Sequence, residues 1–169
     1  MPLLTSHISK TRAEGRCYAE RIRGEEFCVS SDGSCYPYYH GGVGGAARAE
    51  TAGGTIILKE HLGLFPEHRA VEGEIVGVIL ALGIIKTIPF LTSATILLDC
   101  QQAIRELVGG KSHHPLLLDR FQEELRTMDK RLSRIRLAWV PGHDGIEMNK
   151  LVDKDAKAAA LGDSMSVYR

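Results

Sequence analysis

Four acidic residues occur in settings that could fix their carboxylates on rigid backbone. Asp32 and Asp99 each follow a short apolar run, Glu74 precedes a longer one, and Asp153 lies near the C-terminus of the chain, downstream of a glycine-bounded loop that contains His143. Carboxylate oxygens are the ligands that Mg²⁺ prefers, and a two-metal site needs several of them to converge. The four acids and the loop histidine therefore predict a site that holds divalent metal against phosphate.

Each of these residues also has a simpler structural interpretation. Asp32 precedes glycine and could be a turn residue, whereas Asp99 precedes a helical pattern and could be its N-cap. Glu74 near a helix N-terminus could favour the helix dipole, and Glu72, two residues earlier, could take its place at the site. Asp153 and His143 could simply be solvated. The occurrence of all of them in one chain favours the metal-binding interpretation.

Length and composition predict one globular domain. The chain has 169 residues, of which 44% are hydrophobic and 25% charged, which is typical of a folded domain with a core of its own. The formal net charge is zero, so nucleic acid would have to bind through a local patch or through bound cations. The four cysteines lack the close paired spacing of a zinc site, and we expect free thiols in a reducing compartment.

Hydrophobic periodicity predicts an alternation of strands and helices. Three strands joined by glycine-rich turns come first, then a buried helix from about residue 69, then strands and helices that alternate. This order predicts an α/β protein with a mixed five-stranded sheet, three antiparallel strands followed by parallel ones, flanked by helices. The predicted strands cover residues 27–31, 43–49, 54–60, 95–98 and 135–140, and the predicted helices after the first cover residues 101–108, 116–132 and 147–160.

The same patterns divide the chain into a domain and two tails. Residues 1–24 are polar without a sustained period and predict an N-terminal tail or linker, residues 25–162 the domain, and residues 163–169 a C-terminal tail. The longest apolar stretch, residues 75–91, is interrupted by glycine, lysine and proline, whereas a membrane span needs about 20 uninterrupted apolar residues. Because no secretory leader opens the chain either, we expect an intracellular protein of the cytoplasm or nucleus without membrane contact.

Residues 25–162 resemble the type 1 ribonuclease H family, in the form fused to the reverse transcriptases of retroelements. The most specific part of the resemblance is the run from Trp139 to His143 followed by Asn149 and Asp153. Three positions differ from the usual pattern, which has glycine, an acid and alanine where this chain has Met148, Lys150 and Val152. Further matching segments are Ser31-Asp32-Gly33-Ser34, the run from Glu74 to Leu82, and the run from Leu97 to Ile104.

This resemblance implies a ribonuclease H-like fold and hydrolysis of the RNA strand of RNA–DNA hybrids to 5′-phosphate and 3′-hydroxyl ends. It implies two Mg²⁺ ions, for which Mn²⁺ can substitute, bound by Asp32, Glu74, Asp99 and Asp153. It assigns proton transfer and product departure to His143, so that these five residues are the expected catalytic set. It also implies a hybrid as partner, together with a reverse transcriptase domain in a parent polyprotein.

Substrate contacts are expected beside the acids. Selectivity for RNA requires the 2′-hydroxyl to be recognised in the shallow minor groove, and Gly33, Ser34 and Gln101 are the candidates. The basic residues within 126–136 could follow phosphates, although a solvated helix face explains them as well. We expect His113 and His114 to lie in a solvated loop rather than a metal site.

Two other functions stay open at this point. The first is a nucleic-acid-binding or structural domain of the same fold with weakened or lost catalysis; the four acids argue against it, but the substitutions around Asp153 are compatible with it. The second is another nuclease or a DNA transposase of this fold, which the combination of Asp153 with the loop of His143 disfavours. Trp139 is expected to pack in the core.

Overall fold

The computed structural model describes residues 1–37, 41–164 and 166–168. Residues 38–40, 165 and 169, which fall in the predicted domain and C-terminal tail, lie outside the described residues. The strands are β1 (Leu3–His7), β2 (Phe27–Cys35), β3 (Gly42–Thr51), β4 (Gly54–Leu64), β5 (Ser93–Leu98), β6 (Arg134–Trp139) and β7 (Ser166–Tyr168). The helices are α1 (Arg12–Glu25), α2 (Ala70–Thr87), α3 (Gln101–Gly109), α4 (Pro115–Arg126) and α5 (Glu147–Ala160).

In the described part of the chain the strands form one mixed sheet in the order β1-β6-β5-β2-β3-β4-β7. Strands β2, β3 and β4 are antiparallel neighbours, whereas β5 runs parallel to β2 and β6 runs parallel to β5. These are the five predicted strands, and the predicted α/β architecture is confirmed. The predicted strand count was too low, because β1 pairs in parallel with β6 and β7 pairs antiparallel with β4.

The N-terminal segment is folded, which corrects the prediction of a polar tail over residues 1–24. Strand β1 extends the sheet, and α1 begins after Thr11, whose hydroxyl accepts a hydrogen bond from the Glu14 N–H at 3.1 Å. The apolar side of α1 is small, so its periodicity is weak in the sequence; it consists of the buried residues Tyr18, Ala19 and Ile22. The C-terminal tail predicted over residues 163–169 likewise contains a strand, β7.

Helices cover both faces of the sheet. In β5 the side chains alternate, so Ile96 and Leu98 join the main core with α2 while Leu97 packs with α1. In β3, Ala47 joins the main core and Ala46 packs against α5. Helices α2, α3 and α4 therefore cover one face, and α1 and α5 cover the other.

The backbone of helix α2 is in direct contact with the sheet. A Cβ at Gly45 would be 2.5 Å from the Gly73 carbonyl oxygen, and a Cβ at Gly33 would be 2.3 Å from the Glu74 nitrogen. Glycine at these strand positions therefore allows the helix to lie directly on β2 and β3. This confirms the prediction of a buried helix, and no helix among the described residues is long and apolar enough for a membrane span.

Candidate metal centre

Three of the four predicted acids meet in one cluster. Asp32 lies in β2, Glu74 in α2 and Asp99 directly after β5, and each offers a carboxylate oxygen within 4.8 Å of the others. Asp32 is only 4% exposed. Three carboxylates at this separation can bind one cation together, and their rigid mounts on strands and helix fix their relative positions.

Strand register explains the meeting of Asp32 and Asp99. Strands β2 and β5 are paired in parallel up to Ser30 and Leu97, and continuing this register by two residues places Asp32 opposite Asp99. Asp32 lies within β2 rather than at the strand end that we predicted, because β2 continues to Cys35. Asp99 is not a helix cap: Cys100 is the N-cap of α3, and its sulfur accepts from the Ala103 N–H at 3.5 Å.

Glu74, and not Glu72, is the helix acid of the site. The Glu72 carboxylate lies 2.6 Å from His68 Nδ1 and 3.0 Å from His114 Nδ1, outside the group of three acids. The expectation of a solvated loop is therefore wrong for His114, which is half-buried against α2. His113 is exposed, as expected.

The three carboxyl groups destabilise one another's charged forms. Burial, and then the charges of Asp99 and Asp153, raises the pKa of Asp32 to about 8. Burial and the neighbouring charges of Asp32 and Asp99 raise the pKa of Glu74 well above its ordinary value. Burial also raises the pKa of Asp99, an effect that the adjacent His143 partly opposes.

The donor set fits a hard divalent cation. Within the described residues, Glu74 Oε2 is buried and has no hydrogen-bond partner, and an unpaired buried carboxylate oxygen is costly unless a cation compensates it. Oxygen-only ligands and a high density of negative charge are the preferences of Mg²⁺ and Mn²⁺. The residues present are therefore suited to the cations that the resemblance implies.

Asp153 lies beside the three acids but outside the tight group. It projects from α5, where its carboxylate forms an ion pair with Lys157 Nζ at 2.7 Å. Its charge nevertheless contributes to the raised pKa of both Asp32 and Asp99. The predicted four-acid cage thus has three members whose carboxylate oxygens lie within 4.8 Å of one another, and a fourth that adjoins them.

The loop that carries His143 lies against Asp99. A Cβ at Gly142 would be 2.5 Å from Asp99 Oδ2, so a larger residue here would have to displace the end of the Asp99 side chain. His143 is exposed and has a φ of +55°, a conformation that a side chain with Cβ adopts rarely. At the base of the loop the buried Trp139 donates from Nε1 to the Asp99 carbonyl oxygen at 3.2 Å, which confirms its place in the core.

The candidate substrate contacts lie close to the acids. Ser34 shares the strand face of Asp32, because side chains alternate along β2. Gln101 is the first residue of α3, and its side-chain oxygen accepts from Arg105 at 2.7 Å. Gly33 donates from its backbone N–H to Asp32 Oδ1 at 2.9 Å and packs against α2, a packing role that we did not predict.

The basic segment, residues 126–136, lies away from the acids. Arg134 begins β6 at the end of the sheet opposite the acids and pairs with Glu26 at 3.4 Å. Arg136 donates to the Tyr18 hydroxyl, and Arg131 pairs with Asp129 at 2.7 Å. These three arginines have partners within the chain, and phosphate binding by this segment stays a prediction. The predicted helix 116–132 is shorter than expected and ends at Arg126.

One group of residues at the site was missed from the sequence. Arg12 donates to the Gly142 carbonyl oxygen at 2.5 Å, and Arg12 and Arg16 both lie 4.0 Å from the Asp144 carboxylate. Both arginines belong to α1, in the segment interpreted as a tail. The signal that could have revealed α1 is Thr11 followed three residues later by Glu14, which is a helix-start pattern.

Solved structures share the fold. The chain is similar to RNase H1 from the halophilic archaeon Halobacterium salinarum, with 17% identity and a TM-score of 0.55 over 79% of this chain and 96% of that one. It is equally similar to the N-terminal RNase H domain of a Mycobacterium tuberculosis protein, with 21% identity, a TM-score of 0.55 and the same coverage. Neither family sequence models nor curated proteins give a match. The chain therefore has a ribonuclease H-like fold.

Proposed function

We propose that this protein is a metal-dependent endoribonuclease that hydrolyses the RNA strand of RNA–DNA hybrids. The observation that carries the proposal is the convergence of Asp32, Glu74 and Asp99 within 4.8 Å on a ribonuclease H-like sheet. The loop of His143, packed against one of these acids, supplies the second element that such a reaction needs. The similar solved structures are RNase H proteins, which agrees with this substrate class.

Asp32, Glu74 and Asp99 are the residues that would hold the cations, two Mg²⁺ ions or Mn²⁺ in their place, with Asp153 adjoining them. When bound, the cations lower the pKa of a water molecule and neutralise charge at the scissile phosphate. The positions of the three acids keep the site ready for a phosphodiester, because Asp32 lies in a strand, Glu74 in a helix and Asp99 directly after a strand. Their mutual repulsion in the metal-free state couples metal binding to the stability of the site.

His143 is suited to proton transfer. His143 is exposed, and an imidazole can either donate or accept a proton. The residue before it, Gly142, lies against Asp99 Oδ2, so His143 follows directly on a contact with this carboxylate. A histidine in this position can take up or release a proton as the departing strand leaves.

Selectivity for a hybrid requires contacts to the 2′-hydroxyl in the minor groove. Ser34, Gln101 and the backbone of Gly33 are the groups that we propose for this role, since they lie beside Asp32 and Asp99. The sequence motifs around Asp99 and His143 further support a retroelement origin. On that basis we propose that a reverse transcriptase domain is the natural companion of this chain.

A substrate comparison tests the proposal. The purified protein is incubated with a labelled RNA–DNA hybrid, a DNA duplex and an RNA duplex, each with Mg²⁺ and with EDTA. We expect cleavage of the RNA strand of the hybrid alone, only with Mg²⁺, and its loss in Asp99→Asn but not in the matched exposed variant Asp119→Asn. Hybrid binding without cleavage by the unaltered protein would contradict the proposal and favour a binding domain.

A further inference from the structure

Helix α1 lies in close contact with the base of the loop that carries His143. A Cβ at Gly15 would be 2.9 Å from Trp139 Cζ3 and 3.0 Å from Pro141 Cδ. The backbone of the helix therefore rests on the last residue of β6 and the first residue of the loop. Further along, Tyr18 and Ile22 pack with Val140 and Ile146, at the two ends of the loop.

Arg12 binds the loop directly. Its guanidinium donates to the Gly142 carbonyl oxygen at 2.5 Å. Gly142 is also the residue whose Cα lies against the Asp99 carboxylate. One hydrogen bond from α1 thus holds Gly142, which contacts the Asp99 carboxylate and directly precedes His143.

The residue on the other side of His143 depends on the same helix. Within the described residues Asp144 Oδ2 is buried without a hydrogen-bond partner, and Arg12 and Arg16 each lie 4.0 Å from the Asp144 carboxylate. Their positive charges compensate this carboxylate. His143 itself has a φ of +55°, which persists only where neighbouring structure enforces it.

We propose that Arg12 is a positioning residue, and that through it α1 keeps the loop in the conformation that places His143 beside Asp99. The expected effect on catalysis rests on the proposed function. The positioning of the loop by Arg12 does not depend on it. The Arg12 side chain is 58% exposed, so its ion pair with Asp144 contributes little to global stability. Its expected effect is therefore on the geometry of the loop.

A double-mutant cycle tests this role in catalysis. We expect Arg12→Ala to lower kcat for hybrid cleavage about tenfold, because misplacing a reacting group by about 1 Å can cost up to about 10²-fold. In a His143→Ala background the same change should cost less than about twofold, since Arg12 acts through the histidine. Equal losses in both backgrounds, or no loss in either, would overturn the inference.

Two further variants separate positioning from general damage. Arg12→Lys keeps the charge without the planar guanidinium and should recover part of the lost rate. Arg23→Ala removes an exposed arginine about 16 Å further along the same helix and should leave kcat unchanged. A loss in Arg23→Ala as large as in Arg12→Ala would assign the effect to the helix as a whole and overturn the role of Arg12.

Hydrogen exchange provides a readout that does not need activity. We expect the amides of residues 142–144 to exchange faster in Arg12→Ala than in the unaltered protein or in Arg23→Ala, with the unfolding midpoint of each variant measured alongside. Unchanged exchange would overturn the inference. If the unaltered protein cleaves no hybrid, the proposed function fails, and the exchange rates still decide whether Arg12 holds the loop.

Discussion

Gly142 and Asp99 are in direct contact: a Cβ at position 142 would be 2.5 Å from Asp99 Oδ2. A side chain at position 142 would therefore have to displace the end of the Asp99 side chain. This contact connects the two chemical elements of the proposed site.

Gly142→Ala tests this contact. The added methyl group must displace the end of the Asp99 side chain, so we expect at least a tenfold loss of Mg²⁺-dependent hybrid cleavage, on the order of what small displacements of reacting groups cost. The unfolding midpoint should change by only a few degrees. Gly109→Ala is the matched control, because a Cβ there would contact nothing within 4 Å; equal activity in both variants would contradict the contact's importance.

The pH dependence of stability tests the acidic cluster. Folding raises the pKa of Asp32 from 3.8 to about 8 and raises that of Glu74 as well, so the folded metal-free protein binds these protons more tightly than the unfolded chain. The contribution of these two groups to the free energy of unfolding is therefore largest below about pH 4, and this contribution is lost as the pH rises toward 8. We expect the rise in unfolding midpoint caused by Mg²⁺ to be larger at pH 8 than at pH 5.5.

Circular dichroism melts with EDTA and with Mg²⁺ at both pH values provide this measurement. Asp32→Asn removes one of the titrating groups and should reduce the difference between the two pH values. A stabilisation by Mg²⁺ that is the same at pH 5.5 and pH 8 would show that these carboxyl groups do not bind the metal.

Asp153→Asn should have a smaller effect than substitution of Asp99. Asp153 lies outside the group of three and pairs with Lys157 at 2.7 Å, so its loss resembles removal of a supporting group, which typically costs about 10–100-fold. We expect slowed but measurable hybrid cleavage and a higher Mg²⁺ requirement. Titration of the rate with Mg²⁺ checks this, and a loss as complete as in Asp99→Asn would place Asp153 among the essential ligands.

Gly45→Ala tests the packing that brings Glu74 to the site. Its Cβ would be 2.5 Å from the Gly73 carbonyl oxygen and 2.7 Å from the Gly77 nitrogen, which are backbone atoms that cannot rotate away. Overpacking of this kind typically costs about 1–3 kcal/mol, and urea denaturation should show a loss at the upper end of that range. Gly53→Ala, whose nearest contact would be 3.7 Å away, should be close to neutral.

Part of the site could be predicted because Glu74 and Asp99 stand next to strongly periodic apolar segments. The apolar run after Glu74 fixed the position of α2, and the short strand before Asp99 fixed the carboxylate at its end. The sequence patterns could not predict the distances between these side chains. The convergence of Asp32 with Asp99 depends on the register of β2 against β5, and the choice of Glu74 over Glu72 depends on the direction of each side chain from α2.

The contribution of the N-terminal segment was not predictable from periodicity. Helix α1 buries few apolar residues, and most of its length is polar, so its sequence resembles that of a linker. Its position depends instead on glycine at residue 15 and on the small residues Ala19 and Ala138, which permit close packing. Strand β1 is short and gains its place through pairing with β6, a long-range interaction that no local pattern records.

The central claim is that Asp32, Glu74 and Asp99 bind divalent cation together. An anomalous difference map from crystals soaked in Mn²⁺ tests it most directly. We predict a peak bonded to carboxylate oxygens of all three residues in the unaltered protein and its loss in Asp99→Asn crystals treated in the same way. Crystals in which Mn²⁺ binds elsewhere, or in which the three carboxylates remain together without any peak between them, would contradict the claim.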